Sequence, residues 1–326
     1  MCNEMQRRST QRISIRTLAC FGLAFFVSTG TGLSAPLSAS PPADVPWPVA
    51  FRKHMARLAN VGYRIERAAS PLCFSTAAGT GISLDYIEAY AKNDREAVAL
   101  LLGMSEAPQI AAVAAGSPAE RTGVQAGDDV LAINGTATAD LLAASGNTIL
   151  FADELENFLT ARLPDTPIVM RLRRDGKERT VSILPESVCA ARVVLKTNDG
   201  VTAYTDGSDI GVSSKLIEFT QNDDELALIV AHETSHIISR DGEAQSLEER
   251  RRMEDRADIL GTRLTLCAGY NIDLASQYWL RRDAEDWLRW FRDPTHRSGK
   301  ARAKRMLAEA QASGPCPPSV QISDAD

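Results

Sequence analysis

Apolar residues change period several times along the chain, and each change marks a different kind of element. Leu18 to Val27 form one short apolar run behind a basic stretch holding Arg7, Arg8, Arg12 and Arg16. Small residues follow at Ser34-Ala35 and Ser38-Ala39-Ser40. This is the layout of a secretory signal peptide over residues 1–40, with cleavage after Ala35 or Ser40. The run is shorter than the about 20 residues of a membrane span; an uncleaved N-terminal anchor is the alternative. Residues 41–97 read as a Pro- and Ala-rich linker and a mixed stretch, with strand-like alternation over Gly81–Ile87. A helix is predicted over Asp94–Leu102.

Strand patterns then dominate. Ile110–Val113 and Val130–Ile133 read as strands, the second ending in an Asn134-Gly135 turn. Leu150–Leu163 reads as a helix, and Pro167–Leu172 with Glu178–Leu184 as a closing strand pair. Beyond Cys189, Arg192–Leu195 reads as a strand, and Thr202–Tyr204 with Ile210–Val212 as a hairpin around Asp206-Gly207. From there the period becomes helical. Asn222 is a predicted N-cap with Glu225 three residues on, opening a helix from Asp223 to about Ser239 that stops before Asp241-Gly242. A second helix is expected from about Ala244 to Ala268. A third, Leu274–Phe291, carries Trp279, Trp287 and Trp290 as a packing stripe.

The chemistry lies on those helices. His232-Glu233-Thr234-Ser235-His236 is an H-E-x-x-H motif, and on a helix positions i and i+4 share a face. His232 and His236 therefore direct imidazole nitrogens at one metal ion, with Glu233 in reach of a water on it. On the next helix Glu254 and Asp258 share a face, and Ala257 leaves room for close approach. Glu254 as third ligand completes a His₂Glu zinc site with an open position, about one Zn²⁺ per chain. Asp258 is then placed to hold the other N–H of a ligating imidazole. Water activated at that site, with Glu233 as general base, attacks a peptide carbonyl.

Composition narrows the partners. At 326 residues the chain has room for two modest domains, and 44% apolar with 24% charged residues is an ordinary globular balance. A formal net charge of −6 excludes a general nucleic-acid binder. Cys73, Cys189, Cys267 and Cys316 would remain after signal removal, and four cysteines allow three pairings. The expected pairs are Cys73–Cys189 and Cys267–Cys316, in keeping with an oxidising compartment.

Two resemblances sharpen these readings. Gly116-Ser117-Pro118-Ala119, Gly127-Asp128 and Ile133-Asn134-Gly135 resemble a PDZ domain of bacterial envelope proteases, over residues 98–185. That resemblance implies capture of peptide C-termini, with the carboxylate loop at Leu102, Gly103 and Met104. From about Val193 to Leu307, within a peptidase domain expected over residues 186–326, the chain resembles the gluzincin metallopeptidases that include HtpX, BepA and the CAAX prenyl proteases. H-E-x-x-H, Glu254-x-x-x-Asp258 and Ala268-Gly269-Tyr270 carry it. The fold so implied is α+β: a mostly helical peptidase domain with a small sheet, and a β-rich PDZ domain inserted N-terminal to the helices that carry the motif. The resemblance also implies a substrate-pairing edge strand at Ile210, Gly211 and Val212. His296 would act on the metal or the oxyanion, although Arg297 stands where the family has Pro. The expected function is exported, zinc-dependent endopeptidase action on misfolded or tagged envelope polypeptides, in the periplasm or cell envelope, with room for peripheral membrane association. The alternative is a non-proteolytic PDZ chaperone or scaffold with a latent peptidase site.

Overall fold

The computed structural model describes residues 45–197, 200–285, 296–314 and 316. The signal segment and Trp287 and Trp290 lie outside them. In chain order the elements are α1 (Trp47–Ala69), β1 (Thr76–Gly79), β2 (Ile82–Asp85), α2 (Arg95–Leu102), β3 (Gln109–Val113), α3 (Pro118–Arg121), β4 (Asp129–Ile133), β5 (Thr136–Ala137), α4 (Thr138–Ser145), α5 (Phe151–Thr160), β6 (Ile168–Arg174), β7 (Lys177–Ile183) and β8 (Glu186–Cys189). They continue with β9 (Arg192–Lys196), β10 (Ala203–Thr205), β11 (Asp209–Ser213), α6 (Ser214–Phe219), α7 (Asp223–Ser239), α8 (Leu247–Cys267), α9 (Ile272–Ala275), α10 (Gln277–Glu285) and α11 (Gly299–Ala312). The fold is α+β.

Two cores form. In the first, the strands β2-β3-β4-β6-β7 make one sheet with β5 paired to β4. Along β6 the side chains alternate: Ile168, Met170 and Leu172 are buried, while Val169 and Arg171 are exposed, as one packed sheet face requires. Phe151, Leu155 and Leu159 of α5 cover that face. At the β4–β5 turn Asn134 and Gly135 both take positive φ (49° and 84°), the twist that a two-residue hairpin needs.

The second core packs α1, α6, α7 and α8 against β9 and β11. The stretch from residue 47, expected as linker and mixed chain, is instead a 23-residue helix. Leu58, Val61, Ile65 and Ala69 recur at helical spacing and are buried. Arg57 ties that helix to the next core segment through the Ile217 carbonyl (2.9 Å) and Asp223 (2.6 Å). So the helical core takes an element from before the first sheet as well as from after it. The chain leaves and returns through β1 and β8, which pair antiparallel with Thr76 opposite Cys189.

Cysteines 73 and 189 form a disulfide at that crossing, their Cα atoms 5.5 Å apart across 116 positions of sequence. The second bridge joins Cys267 at the end of α8 to Cys316. A C73A/C189A double variant should lose roughly 2–4 kcal/mol of unfolding free energy, because the crosslink limits the unfolded chain. Urea unfolding against the oxidised parent measures it, and coincident curves would refute it.

Candidate metal centre

The helix α7 forms where local signals place it. Asn222 Oδ1 accepts from Glu225 N (2.9 Å), and the Glu225 carboxylate returns to Gln221 N (2.8 Å). Leu226 to Ala231 are buried all round, so α7 is the central helix and carries His232 in its interior stretch. It ends at Arg240 in the left-handed region (φ 51°), which folds Asp241 back toward the last turn. Helix α8 starts at its N-cap Ser246 and crosses α7 closely. At Gly261 an added Cβ would stand 3.0 Å from the His232 backbone, so a side chain there would push the helices apart.

That crossing brings three side chains to one point. The ligand atoms of His232, His236 and Glu254 all lie within 4.8 Å of one another, and the group is able to hold a metal ion. Glu254 Oε2 lies 3.3 Å from His232 Nε2 and 3.7 Å from His236 Nε2, and the two Nε2 atoms are 3.3 Å apart. Imidazole nitrogens surround this buried oxygen, His296 Nε2 at 3.0 Å among them, yet none of these contacts has hydrogen-bond geometry. Two imidazole nitrogens and a carboxylate oxygen that face one centre are a donor set for a cation, and two imidazoles with one carboxylate suit Zn²⁺. Burial alone would raise the Glu254 pKa; the facing imidazoles of His232, His236 and His296 hold it far below the carboxylate range instead.

Each imidazole is held from behind. His232 Nδ1 lies 3.1 Å from Asp258 Oδ1, and His236 Nδ1 lies 2.8 Å from Asp241 Oδ2. Both contacts point Nε2 inward. Burial works against protonating either ring, but the carboxylates outweigh it: His232 is raised, and His236 is raised to about 9. Asp258 is in turn gripped by Arg302 of α11, whose Nε donates at 2.9 Å to Oδ2. Arg302 is buried with its guanidinium 3.3 Å over the Trp279 ring. Asp241 and Gly261 went unassigned at the sequence level. The signals were an acid five positions after His236, just past the helix end, and a small residue on the Ala257 face of α8.

The remaining predicted residues fall as follows. Glu233 is on α7 and partly buried. His296 Nε2 reaches Glu254 Oε2 at 3.0 Å from a half-exposed position, anchored by Arg297, which donates to both Asp255 oxygens (2.6 and 2.7 Å). Two expectations need correction. Ile210, Gly211 and Val212 are not a sheet edge: β11 is the middle strand, antiparallel to β10 and parallel to β9, so both sides are hydrogen-bonded. The edge strand that packs against α7 is β10. Nor do Leu102, Gly103 and Met104 lead into an edge. Leu102 ends α2, Gly103 is its left-handed cap, and Met104 is buried. The strand after them, β3, is paired on both sides, so no peptide can be added to it. The edge strand facing the groove helix α5 is β2, preceded by Gly79-Thr80-Gly81.

Residues 183–249, which include His232 to His236, match the model of Peptidase family M48, and residues 109–147 match a PDZ domain. These two matches support an M48-type metallopeptidase region preceded by a PDZ domain. The M48 match ends before Glu254, so α8 joins this peptidase's centre by geometry. Among solved structures, the HtrA3 PDZ domain bound to a phage-derived ligand (FGRWV) is similar at 21% identity, covering 35% of this chain and 88% of its own, with a TM-score of 0.25. The HtrA-type protease AlgW with decapeptide is similar at 18% identity over 34% of this chain and 30% of that one, with a TM-score of 0.26. No curated protein matches. Among the described residues no helix is long and apolar enough to cross a membrane.

Proposed function

We propose that this chain is an exported zinc endopeptidase that hydrolyses misfolded or tagged polypeptides of the cell envelope. The observation that carries the reading is the convergence of His232, His236 and Glu254 on one buried point, where Glu254 Oε2 makes no well-formed hydrogen bond. In this reading those three residues hold one Zn²⁺. When bound, zinc polarises the scissile carbonyl and acidifies a water. Glu233 takes the proton of the attacking water and delivers it to the leaving amine. The His296 Nε2–H donates to the oxyanion. Asp258 and Asp241 keep the two ligating rings aimed inward. The substrate backbone adds to the β10 edge beside α7, and the PDZ groove between β2 and α5 holds a peptide end. Two disulfides and the N-terminal signal pattern support export to the periplasm or envelope.

Metal analysis of the purified chain tests the centre. About one zinc per chain is expected, together with cleavage of unfolded casein that stops on chelation. His236→Ala should bring bound zinc to background. Cleavage that survives complete zinc removal would sink the reading.

A further inference from the structure

The edge strand β2 does not face open solvent; α5 lies along its outer side. The Leu84 N–H, the donor that an added strand would need, is already taken by the Glu156 carboxylate at 2.6 Å, which also lies 3.3 Å from the Ser83 hydroxyl. Opposite, across a cavity of about 940 Å³, runs β9, the outer strand of the small peptidase sheet. There the Glu66 carboxylate of α1 lies beside the Val193 backbone. Two strand edges, one from each half of the molecule, thus line one cavity, with Glu156 bonded to the first and Glu66 beside the second.

Neither glutamate has an ion-pair partner among the described residues. Arg192, the arginine in the cavity wall, is engaged by Asp209 (2.7 Å) and Asp153 (3.3 Å), while Lys196 lines the far end of β9. Burial, the largest cause for both, pushes Glu66 up to about 8 and Glu156 up to about 7. At the mouth Trp47, Ile149 and Leu150 are each more than half exposed. An extended chain with apolar residues would cover them. If Glu156 yields Leu84 N–H to that chain, its carboxylate must find a new partner, since a buried charge without one is costly.

We propose that this cavity seats an extended peptide carrying a lysine or arginine, added as a strand to β2, with its cation held between Glu156 and Glu66. The proposal rests on the PDZ reading above and specifies what that groove selects. The peptide carbonyl replaces Glu156 on Leu84 N–H, and the displaced carboxylate pairs with the peptide's cation.

Binding of fluorescein-labelled eight-residue Ala/Val peptides to the full chain carrying Glu233→Gln, read by anisotropy, tests it. One series scans a single Lys over the last four positions; matched series carry norleucine or Glu there. The best Lys peptide should bind about tenfold tighter or more than its norleucine match, the worth of one charge-assisted hydrogen bond. A further E66Q/E156Q replacement should erase that preference while binding persists, because a glutamine oxygen at 156 still accepts from the Leu84 N–H. Equal affinity for Lys and norleucine peptides overturns the inference and leaves the PDZ reading standing. A Lys preference that survives E66Q/E156Q overturns it too, by placing the cation elsewhere. If no peptide binds, the PDZ reading itself fails. Should the substituted chain not fold, the Lys-to-norleucine ratio in the parent decides alone.

Discussion

Glu233→Gln is expected to slow peptide hydrolysis by about 100- to 10,000-fold, the range of a lost general base, with zinc content unchanged. Glu233 stands beside His232 on α7 but is not one of the three residues that converge on the buried point. Its side chain is only partly buried, so the isosteric amide fits the same space. What disappears is the capacity to accept a proton from water. Turnover of a quenched fluorescent peptide, with metal content measured on the same sample, separates the two roles. A glutamine variant that cleaves at the parent rate removes Glu233 from the mechanism. One that also loses its metal makes Glu233 part of the ligand set.

Arg302→Met should reduce stability by about 3–5 kcal/mol, because it breaks a buried ion pair from one side only. Methionine retains part of the apolar contact on Trp279 but leaves Asp258 buried, with only His232 still facing it. Zinc affinity should fall as well, by about 10- to 100-fold, since the His232 ring then rests on a carboxylate that is itself unsupported. Urea unfolding and competition with a zinc indicator read the two effects separately. An unchanged midpoint would mean that Arg302 and Asp258 contribute nothing net to the fold. A lower midpoint with parental zinc affinity would limit Arg302 to a structural role.

The sequence shows most clearly what is decided locally. The start of α7 follows from Asn222 and Glu225, whose capping bonds span three and four residues. Asn134-Gly135 dictates its own turn, and the i, i+4 histidines need only a helix to share a face. What escaped depends on distant chain. Helix α1 reads as linker until its partners in α7 and β9, more than a hundred residues on, are in place. The status of β11 as a middle strand depends on its parallel pairing with β9, which no hairpin pattern announces. The same is true of β2, whose four residues become the groove edge only because α5 folds across them. Asp241 escaped for a geometric reason: a left-handed residue at Arg240 turns it back onto His236.

The crossing at β1 and β8 also sets an order in time. A chain that emerges N-terminus first releases α1 well over a hundred residues before β9, α7 and α8 exist to cover it. The sheet from β2 to β7 has all its partners by residue 183 and is able to fold as a unit in the interval. Throughout that wait Leu58, Val61 and Ile65 have nothing of their own core to bury against. Long-range closure of this kind is the slow, aggregation-exposed part of folding. The vulnerable period of this protein therefore falls before its peptidase half is assembled, and the first helix is the segment that a chaperone would need to shield.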